Sequence, residues 1–167
     1  SHEISKAHYI PVGHKEVDGL KKELVLKKLK TILEDPSIKK VGQNIKYDFI
    51  IFKNHGIELN SMEDTMLLSY TLDAGNNRHN MDTLSEIHLG HKTIAYKDLV
   101  GTGKKQLNFS EVDLKSATEY AAEDADITLR LYKKLSERVE QEKLNKIYEI
   151  FEKPMITILS KLENNGI

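Results

Sequence analysis

The sequence predicts an α/β or α+β protein in which helices outnumber strands, and two observations support this class. Most apolar residues recur with the helical period of 3.6 residues, while at least two short strand candidates interrupt them. The 167 residues fit one domain and can bury a core, and 39% hydrophobic with 31% charged residues is an ordinary globular composition. The predicted sheet is small for the number of helices.

The first half of the chain alternates strand and helix candidates. Ala7–Val12 predicts a short strand that stops at a turn around Gly13. A helical period over 24–33 ends at Asp35-Pro36, because proline interrupts a helix. A second strand is predicted over 40–43. The helix predicted over 47–54 is followed by Gly56, which is well placed as its C-terminal cap.

Helices dominate the second half. One begins at Asp64, a polar loop follows over 74–80, and a short helix over 81–89 is closed by Gly90. The lysine- and glycine-rich stretch 96–109 predicts irregular structure. The longest helix is predicted to start near Asp113, its N-cap, and to end at about Lys143. In the last helix, Pro154 fits only a kink or a new first turn.

Composition excludes several classes of function. The absence of cysteine excludes disulfides, thiolate zinc sites and cysteine nucleophiles, and it is compatible with a cytoplasmic location. No apolar run approaches the roughly 20 residues of a membrane span, so no membrane partner is expected. A net charge of −1 gives no general attraction to nucleic acid. Phosphate binding must therefore be local or carried by metal ions.

The first candidate motif is Gln43-Asn44-Ile45-Lys46-Tyr47-Asp48, at a junction between strand and helix. A carboxylate in the first helical turn lies near exposed backbone N–H groups and the positive end of the helix dipole. Asp48 is therefore either a functional carboxylate or a group that only stabilises this helix end, with Asn44 as its cap.

The second motif is Tyr120-Ala121-Ala122-Glu123-Asp124. Tyr120 and Asp124 are four residues apart, so they share one face of the helix, and neighbouring apolar residues indicate that this face is packed. A carboxylate on a packed face is costly unless it is paired or holds a cation. Asp124 is therefore a metal ligand or a half-buried acid satisfied by a lysine or a helix end.

Two aspartates without cysteine or spaced histidine ligands favour hard cations such as Mg²⁺ or Mn²⁺. Two such ions about 4 Å apart suit phosphodiester cleavage, because one activates water and the other stabilises the leaving oxygen. The pair Asp48 and Asp124 thus predicts a metal-dependent nuclease more strongly than either motif alone.

Seven segments, in order and spacing, are similar to the 3′–5′ exonuclease (proofreading) domain of bacterial DNA polymerase I, a tyrosine-bearing DEDD exonuclease. The resemblance covers essentially the whole chain. Val41–Asp48 resembles the second motif of the family and Tyr120–Asp126 the third. The other segments are Ala7–Val12, Asp64–Leu67, Arg78–Leu84, Gly103–Phe109 and the close of the chain from Glu152 to Ile167.

The resemblance implies a ribonuclease H-like α/β fold, in which a mixed sheet is flanked by helices. It also implies that Asp48 and Asp124 are metal ligands and that Tyr120 aims the attacking water. The expected substrate is the 3′ end of single-stranded DNA. Its expected contacts, all carried over from the family's motifs, are Gln43, Asn44, Tyr47, Arg78 and Phe109. For the last two, the alternatives are a solvated loop residue and a core anchor.

The chain departs from the family at its first motif, an Asp-x-Glu on the central strand, which is expected upstream of Ala7. Asp124-x-Asp126 is helical and Glu111-x-Asp113 lies at a helix start, so neither replaces that motif. The sheet is accordingly expected to lack its first strands. With two of four carboxylates, the chain is expected to bind divalent ions weakly and to cleave DNA slowly or not at all.

The resemblance further implies a domain organisation and a partner. Residues 1–148 are predicted to form an N-terminally truncated exonuclease domain, and 149–167 a helix that leads into a polymerase domain of the same parent chain. Two alternatives remain open: a catalytically dead module that binds single strands or braces the polymerase, and an RNA-trimming relative. The polymerase-like close of the chain disfavours the latter.

Overall fold

A computed structural model of the protein describes residues 1–15 and 19–166. Its sheet contains two parallel strands, β1 (Lys40–Gly42) and β2 (Met62–Asp64), with Val41 opposite Glu63. Parallel neighbours require a crossover connection, which is typically a helix. Helix α2 (Lys46–Asn54) provides it.

The helices on either side of β1 begin and end as the sequence indicates. Helix α1 (Lys22–Glu34) stops at Asp35, whose extended backbone is the conformation expected before Pro36. After α2, Gly56 has a φ of 70°, a left-handed conformation that a residue without Cβ adopts at little cost.

Side chains cap the next helices. Asp64 accepts a hydrogen bond from the Met66 N–H at the start of α3 (Thr65–Asp73). Asn80 does the same for Thr83 in α4 (Met81–Leu89), which ends at the left-handed Gly90. Such caps satisfy N–H groups that the first helical turn leaves without partners.

Helix α6 (Leu114–Gln141) is the spine of the main core, and its N-cap is Asp113, as predicted. Leu131 and Leu135 on α6 are fully buried and belong to one cluster with Leu68 of α3 and Leu84 of α4. Complete burial stabilises the fold by about 1.5–3 kcal/mol for each such leucine. The packed face of α6 is therefore held rigidly against α3 and α4.

The C-terminal part consists of α7 (Asn145–Ile147), a π-helical turn (Tyr148–Glu152) and α8 (Met155–Asn164). Pro154 is the N-cap of α8, so it lies at the start of a new helix and not inside one, in line with the second of the two positions predicted for it. Ile156 of α8 is buried in a second cluster with Ile45 and Leu59. The division into 1–148 and 149–167 stays a prediction, and α8 shares this cluster with the strand-bearing region.

Two predictions about local structure are wrong. Ala7–Val12 forms neither strand nor helix, and the sheet of the described residues contains the parallel pair alone. A strand needs a partner for its backbone groups, and this segment instead packs Tyr9 edge-on against Phe109. The stretch 96–109, predicted to be irregular, contains the short helix α5 (Tyr96–Val100) and two 3₁₀ turns that start at Gly103 and Phe109.

Within the described part of the chain, no helix is both long and apolar enough to cross a membrane.

Candidate active site

A recess of about 640 Å³ lies between β1, the start of α2 and the middle of α6. It brings together Asp48 and Asp124, the two predicted metal ligands, which are 76 residues apart in the sequence. The remaining lining residues come from the amino terminus, from β1 and the residues beside it, from α4 and from α6: Ser1, His2, Lys39, Val41, Gly42, Gln43, Met81, Ala121, Ala125, Thr128, Leu129, Tyr132 and Lys133.

Asp48 reaches the recess from the first turn of α2. More than a third of the residue is exposed. Partial burial of its carboxyl group nevertheless raises the pKa of Asp48, and the negative charge of Asp64 raises it further. Its own backbone N–H lowers the pKa in part, as expected at a helix N-terminus. Asp48 is thus open to solvent yet favoured as a partner for a cation.

Asp124 lies on the face of α6 that lines the recess, one turn after Tyr120. Its Oδ1 atom is buried and has no hydrogen-bond partner among the described residues. Burial raises the pKa of Asp124 to about 6, although the neighbouring Tyr120 hydroxyl lowers it in part. The charges of Glu123 and Asp82 raise it further. Of the two interpretations of Asp124, the geometry disfavours an acid satisfied by a lysine.

Tyr120 stands beside Asp124 as a neutral hydroxyl group. Burial raises the pKa of its phenol, and the negative charge of Asp124 raises it again. The group therefore keeps its proton at any pH near neutrality. It can donate a hydrogen bond without ever supplying a phenolate.

The other acids of this region are used within the protein. Glu123 accepts hydrogen bonds from His91 at 2.8 Å and from the Ile94 N–H at 2.7 Å. Asp126 pairs with Arg130 at 2.7 Å, and Glu111 pairs with Lys15. Over residues 1–15 and 19–166, no group of three or more His, Asp or Glu side chains could hold a metal ion. Asp48 and Asp124 fit a divalent cation by chemistry, because Asp48 offers an exposed carboxylate and Asp124 a buried oxygen that has no partner within the described part of the chain.

The turn between β1 and α2 is fixed by Asp64, whose residue is only 2% exposed. The Asp64 carboxylate accepts hydrogen bonds from the N–H groups of Asn44 at 2.9 Å and Ile45 at 3.0 Å. Asn44 has a φ of 55°, a left-handed conformation that asparagine tolerates better than most residues. This turn determines where α2 begins, and so where Asp48 lies.

Gln43 and Gly42 complete the same turn. The Gln43 amide donates to the His79 carbonyl at 2.7 Å and accepts from the Thr65 hydroxyl. Both ends of the side chain are thus used within the protein. A Cβ at Gly42 would lie 2.8 Å from Cβ of Ile45, closer than side-chain atoms pack, so the turn requires glycine there for space.

Aromatic rings surround Tyr120 on the side of α5. Phe109 is half-buried, with ring centroids 6.0 Å from Tyr120 and 6.0 Å from Tyr9. Tyr96 stacks on Phe109 at 6.4 Å and is 45% exposed. Phe109 also packs against the core cluster of Val100 and its neighbours. It is therefore a packing residue of this aromatic group, and any base contact would use its exposed part.

The remaining predicted contacts lie outside the recess lining. Tyr47 is 69% exposed on α2, and Asn44 is exposed at the turn before it. Arg78 is exposed in the loop between α3 and α4, next to His79, the residue that accepts from Gln43. These three side chains are available to a ligand that extends beyond the recess.

Sequence reasoning missed the supports behind the turn. The sequence predicts Asp64 as a helix start and as part of a family-like segment, but it predicts neither its bonds to the turn nor the pairing of Gln43 with Thr65 and His79. A signal existed: Glu63 and Asp64 are adjacent acids just before an apolar helix. Burying such charges requires partners.

Comparison with known proteins identifies the relatives of this chain. A family model described as 3′-5′ exonuclease matches residues 2–140. The chain is 45% identical over 173 aligned residues to DNA polymerase I of Rhizobium leguminosarum, a match that covers 97% of this chain and 17% of that protein. It is 41% identical to DNA polymerase I of Pseudomonas aeruginosa, covering 96% of this chain and 18% of that protein. The chain thus spans less than a fifth of the length of either relative.

Solved structures support the fold. The chain is similar to Brucella melitensis NrnC with a TM-score of 0.66 and 22% identity, over 83% of this chain and 64% of that one. The same protein bound to pGG gives the same TM-score at 21% identity. At this identity the likeness shows the fold alone. It is the helix-rich α/β architecture of ribonuclease H-like exonucleases, as predicted.

Proposed function

Because this chain belongs to the 3′-5′ exonuclease family, we propose that it removes 3′-terminal nucleotides from DNA as the proofreading part of a DNA polymerase I. The observation that supports this most is the buried carboxylate oxygen of Asp124, which has no hydrogen-bond partner among the described residues and lies in a recess shared with Asp48. A buried charge without a partner is costly for a fold. It is useful where a cation is to be bound.

The proposed cofactors are divalent ions, Mg²⁺ or Mn²⁺, held by Asp48 and Asp124. Both ligands are carboxylates, and the chain has no cysteine, which suits hard cations and not zinc held by thiolates. Bound in such a site, the ions would lower the pKa of a water molecule and neutralise charge on the cleaved phosphate.

The residues of this chain would have distinct tasks in the reaction. The neutral Tyr120 hydroxyl would donate a hydrogen bond and hold the attacking water in line with the phosphorus, which is a matter of orientation. Asp124, one helical turn from Tyr120, would place its negative charge on the same side of the phosphate as the attacking water. The turn at Gln43 and Asn44 would border the terminal nucleotide. The exposed part of Phe109, with Tyr47 and Arg78, would contact the strand leading to it, since aromatic faces accept any base.

The two carboxylates of the family's first motif, Asp-x-Glu, would lie on a further strand that pairs with β1. In the described part of the chain, β1 pairs with β2 alone, which leaves its other edge without a strand, and Val41 and Gly42 of β1 line the recess. Side chains two apart on a strand point to the same face. An Asp-x-Glu pair on a strand at this edge would thus bring two carboxylates towards Asp48 and Asp124.

A second candidate function is a module that binds single strands without cleaving them. The observation that favours it is that the described residues bring only two acids into the recess. Such a module would bind a 3′ end without any dependence on Asp124, since no charge is then needed at a reacting phosphate.

The deciding experiment is digestion of a 5′-labelled single-stranded DNA by the full-length protein with Mn²⁺ or with EDTA. Asp124→Ala is compared with Asp126→Ala, a matched change on the same helix whose carboxylate already pairs with Arg130. We expect a 3′–5′ ladder that disappears with EDTA and with Asp124→Ala but persists with Asp126→Ala. Binding of the oligonucleotide without a ladder would instead establish the non-cleaving module.

A further inference from the structure

Asp64 is the centre of a buried hydrogen-bond network. One carboxylate oxygen accepts from the N–H groups of Asn44 and Met66, both at 2.9 Å, and the other accepts from Ile45 at 3.0 Å. Only the Met66 contact belongs to the cap of α3. The other two tie the carboxylate to a turn 20 residues earlier in the sequence, across the two strands.

This turn depends on Asp64 because its N–H groups have to be satisfied. Ile45 is 3% exposed, so its N–H cannot turn to water instead. The left-handed Asn44 is held by the same carboxylate. Helix α2 begins directly after these two residues, and Asp48 lies in its first turn. Any loosening of the turn therefore moves Asp48 relative to the recess.

Tyr148 connects this network to the C-terminal helices. Its hydroxyl donates to Glu63 at 2.9 Å and accepts from the Asp64 N–H at 3.2 Å, and the residue is 3% exposed. Lys153 donates to the other oxygen of Glu63 at 2.9 Å and also pairs with Glu149. The π-helical turn is thus joined to β2 by buried polar contacts and not by apolar packing alone.

We propose that Asp64 is a positioning residue that holds Asp48 in place, and that Tyr148 extends this control to the C-terminal helices. The inference rests on the proposed function, because Asp48 matters only if the recess is a reaction site. A shift of the segment from α7 to α8 would reach the site through Tyr148, β2, Asp64 and the turn. The site is then sensitive to whatever part of the protein packs on those helices.

Two local variants test the network in the full-length protein. Asp64→Asn replaces one acceptor oxygen by an amide donor that faces an N–H group, and Tyr148→Phe removes one hydroxyl. Their matched controls are Asp73→Asn, at the other end of α3, where the acid pairs with Arg138, and Tyr70→Phe, on the exposed side of α3.

The first measurement is amide hydrogen exchange without DNA or added metal. We expect exchange at Asn44 and Ile45 to rise about tenfold in Asp64→Asn and about threefold in Tyr148→Phe, since the acceptor is weakened or its support is lost. Exchange around Leu131 in α6 serves as the reference for general loosening and should rise by a smaller factor than exchange at Asn44 and Ile45. Both controls should match the unmodified protein at all these amides.

The second measurement is the Mn²⁺ concentration that gives half-maximal release of the 3′ nucleotide. It should rise about tenfold in Asp64→Asn and about threefold in Tyr148→Phe, following the local opening of the turn, and stay constant in both controls. If Asp124→Ala releases nucleotides normally, the proposed function is wrong. If Asp124→Ala abolishes release while Asp64→Asn and Tyr148→Phe behave like their controls, the positioning role alone is wrong.

Discussion

The two motifs that border the recess differ in whether their polar groups have hydrogen-bond partners. In the turn between β1 and α2, the N–H groups of Asn44 and Ile45 and both ends of the Gln43 side chain have partners within the protein. On α6, the buried oxygen of Asp124 has no partner among the described residues.

The difference separates the framework of the turn from the proposed reaction site. Buried polar groups are normally hydrogen-bonded, so the turn follows the rule and contributes rigidity. Asp124 departs from the rule among the described residues, as a carboxylate with the proposed task of holding a cation would. Changes in the turn are therefore expected to lower the free energy of unfolding. Removal of the Asp124 charge is expected to raise it.

The largest effect is expected for Asp64→Ala, which removes the acceptor of three backbone N–H groups. We expect the free energy of unfolding to fall by about 3 kcal/mol, because buried donors without partners are costly. Urea unfolding followed by circular dichroism measures this. Asp73→Ala, which breaks one partly exposed ion pair, should cost about 1 kcal/mol or less. Equal losses of unfolding free energy in the two variants would show that the Asp64 network stabilises the fold no more than the Asp73 ion pair does.

The next effect concerns space and not hydrogen bonds. Gly42→Ala places a methyl group 2.8 Å from the Ile45 side chain, and relieving this overlap should cost about 2 kcal/mol of unfolding free energy. Gly13→Ala is the control, because a Cβ there meets nothing within 4 Å. It should change stability by less than about 0.5 kcal/mol. A tolerated Gly42→Ala would show that the turn is less rigid than its hydrogen bonds indicate.

Much of this comparison could be predicted from local sequence signals. The period of apolar residues gave α6, the residue types at helix ends gave the caps at Asp113 and Gly90, and the two motifs gave Asp48 and Asp124. These features depend on neighbours within a few residues. Local chemistry is sufficient to predict them.

The supports of the site depend on contacts between distant residues and could not be predicted in this way. Asp64 reaches the turn only because β1 and β2 pair in one register, and Tyr148 reaches Asp64 from 84 residues later. The strand predicted over Ala7–Val12 is wrong for the same reason, because an alternating pattern forms a strand only where the edge of another strand is available. Strand pairing decides both outcomes, and local sequence patterns do not specify which strands pair or in which register.

The α6 side of the comparison is tested by Asp124→Asn, in chelator so that no cation is bound. The folded pKa of about 6 lies above 3.8, the ordinary pKa of an aspartate carboxyl group, so the contribution of Asp124 to stability is complete below about pH 4 and is lost as the pH rises through 6. The variant should be more stable than the unmodified chain by about 1 kcal/mol at pH 8, a value reduced for solvent in the recess. At pH 4 the difference should vanish.

Urea unfolding at pH 4, 6 and 8 measures this difference, with Asp126→Asn as the control. The Asp126 carboxylate pairs with Arg130, so its loss should not stabilise the chain at any of the three values. A destabilised Asp124→Asn at pH 8 would mean that Asp124 has a partner after all and belongs to the framework.

The smallest effect is expected for Tyr120→Phe, which tests how the two parts of the α6 motif act on each other. The phenol stays neutral, so its loss should change the free energy of unfolding by less than about 0.5 kcal/mol. The hydroxyl lowers the pKa of Asp124, so the variant should move the titration of Asp124 to higher pH. Carbon NMR of the Asp124 carboxyl group measures the midpoint, and Tyr96→Phe, which changes a neighbouring ring of the same cluster, should leave it in place. An unmoved midpoint in Tyr120→Phe would mean that the Tyr120 hydroxyl does not act on the Asp124 carboxylate and that the two groups of the motif are independent.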